Sequence, residues 1–254
     1  MKRKIKVAFV VVLLLAATAS ADESGRIKLS LTGAFGVSSL DFSGTRTFTE
    51  FAEEGQVRAD YSADKGPGFE GGLAYRFGSR LSVALTGSYL KRDSSAAIEA
   101  NLPHPLYLDR DRQVAADVSG LSYNETAGHL DLVLSGHSGS FDFSLFAGPS
   151  IFKVKADLAG APTYTQSYPF DTVTVTAVPT ASADDMAFGF NAGAGIDYRF
   201  SPKFAFGLQG RFSRGNAKLI PAGTSDEIEV DAGGVQVGAG VRTSRPTAPR
   251  IRLL

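Results

Sequence analysis

The chain has no cysteine and no tryptophan, and only two methionines and three histidines among its 254 residues. Without cysteine there can be no disulfide framework, no thiolate nucleophile, no thiolate metal site and no lipid-modified N-terminal cysteine. Net charge is missing too, since 26 basic and 26 acidic residues give +0. Lys2, Arg3, Lys4 and Lys6 are four of the 26 basic residues. Without them 22 face 26 acids, a balance of about −4 that argues against a general nucleic-acid binder. Long apolar runs are absent with one exception, residues 7–17 (VAFVVVLLLAA). That run has about 11 residues where a spanning helix needs about 20. It follows a basic stretch and precedes Ala19-Ser20-Ala21 and Asp22, the pattern of a cleaved export signal. The expected domain plan is a signal peptide at 1–21, a folded unit at 22–243 and a tail at 244–254.

What the chain does have is a hydrophobic period of two, together with 28 glycines and 18 phenylalanines. In residues 186–200 (MAFGFNAGAGIDYRF) Met186, Phe188, Phe190, Ile196, Tyr198 and Phe200 share one face, and Gly189, Asn191, Gly193, Asp197 and Arg199 share the other. Ser201-Pro202-Lys203 turns the chain into a second such strand through Phe204, Phe206, Leu208 and Phe212. Equivalent segments lie near 27–35, 69–77, 81–89, 130–135, 141–147 and 235–241, for eight strands in all. Residues 231–234 break the pattern and suggest a bulge. Links between the strands alternate between tight turns and much longer connections, which describes an up-and-down meander. One face is bulky and apolar while the other carries Gly, Ala, Ser, Thr and single charges. That suits a closed barrel whose outside meets lipid better than a soluble sandwich.

In this pattern, and most clearly in GFNAGAGIDYRFSPKFAFGLQGRF at 189–212, the chain resembles the small eight-stranded outer-membrane β-barrels of Gram-negative bacteria, of OmpA-like and OmpX-like type. The resemblance implies an all-β, eight-stranded antiparallel transmembrane barrel with long extracellular loops, reached through the periplasm and placed in the outer membrane. It also implies an insertion signal on the last strand, which Gln236, Gly238 and Val241 match. Thr243 stands there in place of an aromatic residue. The implied partners are outer-membrane lipids and lipopolysaccharide and the barrel-insertion machinery, with the barrel a monomer.

An eight-stranded barrel is too narrow for an open pore, so its polar face must fill the interior. Extending the alternation places Lys28, Arg76, Arg199, Arg211 and Arg242 inside with Glu70, Asp131, Asp142 and Asp197. Such a near-balanced lattice is what burial of charge requires. This lattice reads as a structural plug of ion pairs, and alternatively as a narrow gated conduit for ions or small solutes. No catalytic or metal site emerges. His129 points inward, and His104 lies between prolines in a loop. His137-Ser138 invites comparison with lipid-modifying outer-membrane enzymes but sits at a turn with no carboxylate evident to orient the imidazole. Asp109, Asp111 and Asp117 lack the glycine and closing glutamate of a calcium loop. Gly193-Ala194-Gly195 lies mid-strand, so no cofactor is expected. Connections 38–66 and 157–185 alternate again and read as strands rising above the membrane, with edges that could bind an extracellular protein partner by strand addition. The expected function is a non-enzymatic envelope-structural or surface-contact role.

Overall fold

The computed structural model describes residues 26–221 and 226–243. The expected export signal and C-terminal tail lie outside the described residues. All regular structure among the described residues is strand: β1 (Ile27–Gly36), β2 (Leu40–Glu50), β3 (Glu53–Ala63), β4 (Gly66–Arg76), β5 (Leu81–Leu102), β6 (Arg112–Ser138), β7 (Phe141–Ala159), β8 (Thr163–Gln166), β9 (Val173–Ala177), β10 (Thr180–Arg199), β11 (Phe204–Leu219) and β12 (Ile228–Thr243). Eight of them form an antiparallel ring in the order β5-β4-β1-β12-β11-β10-β7-β6, which the β5–β6 ladder closes. These are the eight strands expected from the alternation, and closure leaves the ring no unpaired edge at this level.

The far end of the ring differs from expectation. Besides 38–66 and 157–185, which already read as strands, most of residues 90–129 is strand too, because the alternation continues while its chemistry changes sides. On β5 the outward residues run Leu81, Val83, Leu85 and Tyr89 and then become Lys91, Asp93 and Glu99, whereas the buried series runs Ser82, Thr86 and Ser88 and then becomes Leu90, Ala96, Ile98 and Leu102. The lower barrel is therefore apolar outside and polar inside. The upper barrel is a water-facing structure with an ordinary apolar core, built on Val57, Tyr61, Ile98, Leu121, Phe152, Val154, Leu219 and Val230. The outer belt runs from Leu81 to Tyr89 on β5 and from Phe141 to Ile151 on β7, close to the roughly 9–11 residues a tilted strand needs to cross hydrocarbon.

The same exchange explains the break expected at 231–234. There β12 pairs with β11 from Asn216↔Asp231 to Ser213↔Gly234 with no register shift, so no bulge interrupts that ladder. Ile228, Val230 and Ala232 face inward above this point while Val235 and Val237 face outward below it, and the inward parity never changes. Gly233 and Gly234 adopt φ of 100° and 107°, a region side chains rarely enter. Within the ring the ladder shift among the described residues lies elsewhere, between Ser94 and Ala96 of β5. There β6 contributes both Ser119 and Gly120, the latter at φ 77°.

Above the Gly36↔Gly66 pair, where the β1–β4 ladder ends, the β2–β3 hairpin takes over, and β3 pairs with the upper part of β5. β2 lies beside upper β12 without a ladder between them, and Ile228 packs onto Gly44. β8 and β9 form a separate two-stranded sheet near the apex.

Candidate functional site

The lower interior is organised around Arg211 of β11, whose side chain is 3% exposed. Inward parity on β4, β6, β7 and β10 aims its partners across the barrel at one point. Its Nη1 donates to Asp131 Oδ2 at 3.0 Å and also to Asn191 Oδ1, and its Nη2 donates to Glu70 Oε1 at 3.2 Å. The Phe146 ring covers the guanidinium at 4.6 Å. Asn191 Nδ2 donates to Asp131 Oδ1 at 2.7 Å and Ser150 Oγ at 3.0 Å, and Gln209 Nε2 donates to Glu70 Oε1 at 2.8 Å. Ser150 Oγ meets His129 Nδ1 at 2.8 Å, and His129 Nε2 meets Ser88 Oγ at 3.2 Å. Towards the short-turn end Gln209 Oε1 accepts from Arg242, which is paired with Asp197. Arg199 stands 3.6 Å from Asp142 and donates to Gly139 O. A polar chain thus runs from Ser88 to Asp197, beside a cavity of about 100 Å³ whose lining includes Lys28, Asp131, Asp197, Gln209 and Arg242.

The chain ends upward at an apolar lid. Phe152, fully buried, sets its ring edge on His129 with centroids 6.0 Å apart, and Leu90 and Tyr123 are also buried in this region. Arg92 ties the lid to the wall by donating to Ser38 O and, at 3.2 Å, to Gly233 O, while Glu125 Oε2 accepts from Gly233 N at 2.7 Å.

At the apex three connections are knitted together. Asp109 N donates to Glu53 Oε1 at 2.7 Å, Tyr164 Oη donates to Glu50 Oε2 at 2.7 Å, and Arg112 donates to Gln166 Oε1, Phe170 O and Pro103 O. Burial, with the bond to Glu50 adding to it, pushes the Tyr164 phenol up to about 12. His104 Nδ1 accepts the backbone N–H groups of Leu106 and Tyr107, which makes this ring a staple of the loop. Among the described residues the four non-glycine positions at positive φ, Phe51, Ala52, Asp109 and Phe170, all lie in these connections. Five apolar side chains project from them: Phe51, Leu106, Tyr107, Leu108 at 76% exposure and Tyr168 at 81%.

All nine expected interior charges take inward positions. Arg211, Glu70, Asp131, Arg242, Asp197, Arg199 and Asp142 meet in the ion pairs above, Lys28 lines the cavity, and Arg76 stands on the same inner face of β4. Sequence reasoning missed Asn191, Gln209, Ser88 and Ser150, the neutral groups that join those pairs into one chain. Their inward parity was the available signal. His137 and Ser138 alternate across the strand and so face opposite ways, and Asp142 is the cross-strand neighbour of His137 although its carboxylate lies near Arg199. Asp109 is at the apex and Asp117 on the outside of β6, and no group of three or more metal-ligating side chains occurs among the described residues. Gln236 and Gly238 of the expected insertion signal face inward, Val241 faces out, and Thr243 Oγ1 accepts from Leu29 N at 2.9 Å.

The family model described as "Outer membrane protein beta-barrel domain" matches residues 7–242. No curated protein matches the chain. Similar solved structures include the outer membrane protein OprG from Pseudomonas aeruginosa, at 11% identity and TM-score 0.48 over 85% of this chain and 94% of that one. Neisserial surface protein A is similar at 13% identity and TM-score 0.44 over 87% and 97%. The outer membrane protease OmpT from Escherichia coli is similar at 10% identity and TM-score 0.49 over 85% and 97%.

Proposed function

Because the chain belongs to the outer membrane protein β-barrel domain family, and so lies in the bacterial outer membrane, we propose that it is a non-enzymatic envelope protein that works by surface contact through its extracellular projection. The observation that carries this reading is the exchange of faces between Tyr89 and Lys91 on β5. It turns the connections into a stiff apolar-cored stalk and puts Phe51, Leu106, Tyr107, Leu108 and Tyr168 at its tip. Ordering a surface patch before contact lowers the entropic cost of binding, and strained backbone gathers where function requires it. The polar chain below is the structural plug of the barrel. His129 and the two serines beside it are buried between that plug and the Phe152 lid, out of reach of a lipid or peptide substrate. The narrow-pore alternative requires the lid to open.

We further propose export by the signal at 1–21, insertion through the last-strand signal around Gln236, Gly238, Val241 and Thr243, and a monomeric barrel. The test compares cells displaying the wild-type chain with cells displaying Leu106→Ser, Tyr107→Ser, Leu108→Ser and Tyr168→Ser together. Adherence to host cells and matrix-coated surfaces is expected to fall while the barrel stays folded and its planar-bilayer conductance stays negligible. Unchanged adherence rules out contact through the tip, and a steady channel current favours the pore.

A further inference from the structure

On the outside of β5, β6 and β7 the apolar belt ends at a row of donors. The belt residues of β5 stop at Tyr89 and the next outward residue is Lys91; those of β7 stop at Ile151 and continue as Lys153 and Lys155. The ladders set Lys91 opposite Asn124 and Asn124 opposite Lys155. With strands about 4.8 Å apart, the two lysine backbones are roughly 10 Å from each other with the asparagine between them.

Two aromatic residues fix how that asparagine points. The Phe69 and Tyr89 rings pack with centroids 5.5 Å apart, and Tyr89 Oη donates to Asn124 Oδ1 at 2.9 Å. The acceptor end of the amide is thereby occupied, and Nδ2 is left to donate. Four other outward cations of the upper barrel are neutralised, Lys153 by Asp184 at 3.1 Å, Arg214 by Asp231 at 2.9 Å, Lys218 by Glu227 at 2.7 Å and Arg58 by Asp60 at 3.0 Å, whereas exposed Lys65, between β3 and β4, has no ion pair among the described residues. Lys91 and Lys155 have no ion pair or side-chain hydrogen bond among the described residues. Asp184 of β10 stands directly opposite Lys155 and is already the partner of Lys153, while Asp93 on β5 and Asp157 on β7 stand one step further from the belt, and Asp157 already accepts from Ser122 N and Ser182 Oγ.

A row of three donors, with apolar surface below and its one adjoining carboxylate, Asp184, already paired with Lys153, matches an anion held at headgroup height. We propose that Lys91, Asn124 and Lys155 form a binding site for the phosphate of a phosphorylated lipid in the outer leaflet. The site needs only the barrel and its membrane setting, so it stands or falls apart from the contact role of the apex.

The test uses the full chain in phosphatidylethanolamine bilayers containing either phosphorylated or dephosphorylated lipid A, followed by mild detergent extraction and mass spectrometry of the lipid that stays bound. Phosphorylated lipid A is expected to co-purify with the wild type and with Lys91→Arg/Lys155→Arg. Retention should drop about tenfold or more in Lys91→Gln/Lys155→Gln. Arg214→Gln, at a neutralised cation, should retain lipid like the wild type. Heat-modifiable gel mobility shows that each variant is folded. If the double glutamine variant does not fold, Asn124→Asp, which sets a carboxylate between the lysines, carries the same expectation. Equal retention of the two lipid A forms, or unchanged retention in the variants, overturns the site. Displacement of bound lipid by inorganic phosphate makes it a free-anion site and overturns the lipid assignment.

Discussion

Replacing Arg211 by Met tests how the interior tolerates charge. The guanidinium serves two carboxylates at once, Glu70 at 3.2 Å and Asp131 at 3.0 Å, and all three side chains are at most 6% exposed. Methionine keeps much of the length and removes the charge, so both carboxylates stay buried with only Gln209 and Asn191 as donors. Removing one partner of a buried pair costs about 3–5 kcal/mol, and one cation shared by two anions places the loss near the upper end. Adding Glu70→Gln and Asp131→Asn should recover most of it, because neutral amides impose no charge desolvation. Urea unfolding in lipid vesicles, followed by the heat-modifiable gel shift, reads both effects. A single variant within about 1 kcal/mol of the wild type, or a triple variant no better than the single, refutes the claim that paired charge holds the plug.

Leu208→Arg, at the lipid-facing middle of β11, should destabilise the barrel by about 2–4 kcal/mol in the same assay; stability equal to wild type reverses the assignment of faces. The Tyr164–Glu50 contact should be intact below pH about 10, the ordinary phenol value, and be lost as pH rises towards about 12, where the folded phenol ionises. Spectrophotometric titration of a Tyr164→Phe variant against the wild type should show one late-titrating phenol missing, and identical curves count against the contact. N-terminal sequencing of the membrane-bound protein should begin at Asp22, and recovery of Met1 contradicts export by cleavage.

The ring was legible because lipid enforces it: every spanning strand must alternate, and side-chain parity alone sorts Arg211 from Leu208. The linkage inside the ring was not legible. Which inward groups touch depends on the stagger between strands, and Asn191 or Ser150 looks like any other small polar filler until that stagger is set. Segments 38–66 and 157–185 read as strands above the membrane, as β2, β3 and the ends of β7 and β10 are. The continuations of β5 and β6 were missed because their apolar residues had moved to the inner face and Gly120 shifts the phase by one residue. At 231–234 the same exchange of faces looked like a bulge. The apex cluster joins hydrogen-bonded residues as many as 114 apart in sequence, Glu50 and Tyr164, a distance no local pattern carries.

The central claim is that the barrel continues above the bilayer with its chemistry turned inside out, and spin labels placed singly along β5 from 81 to 101 test it most directly. Odd positions through 89 should be accessible to oxygen dissolved in lipid, odd positions from 91 onward should be accessible to a water-soluble relaxant, and even positions should be shielded from both along the whole strand. Even positions from 96 to 100 that were mobile and open to the water-soluble relaxant would contradict it.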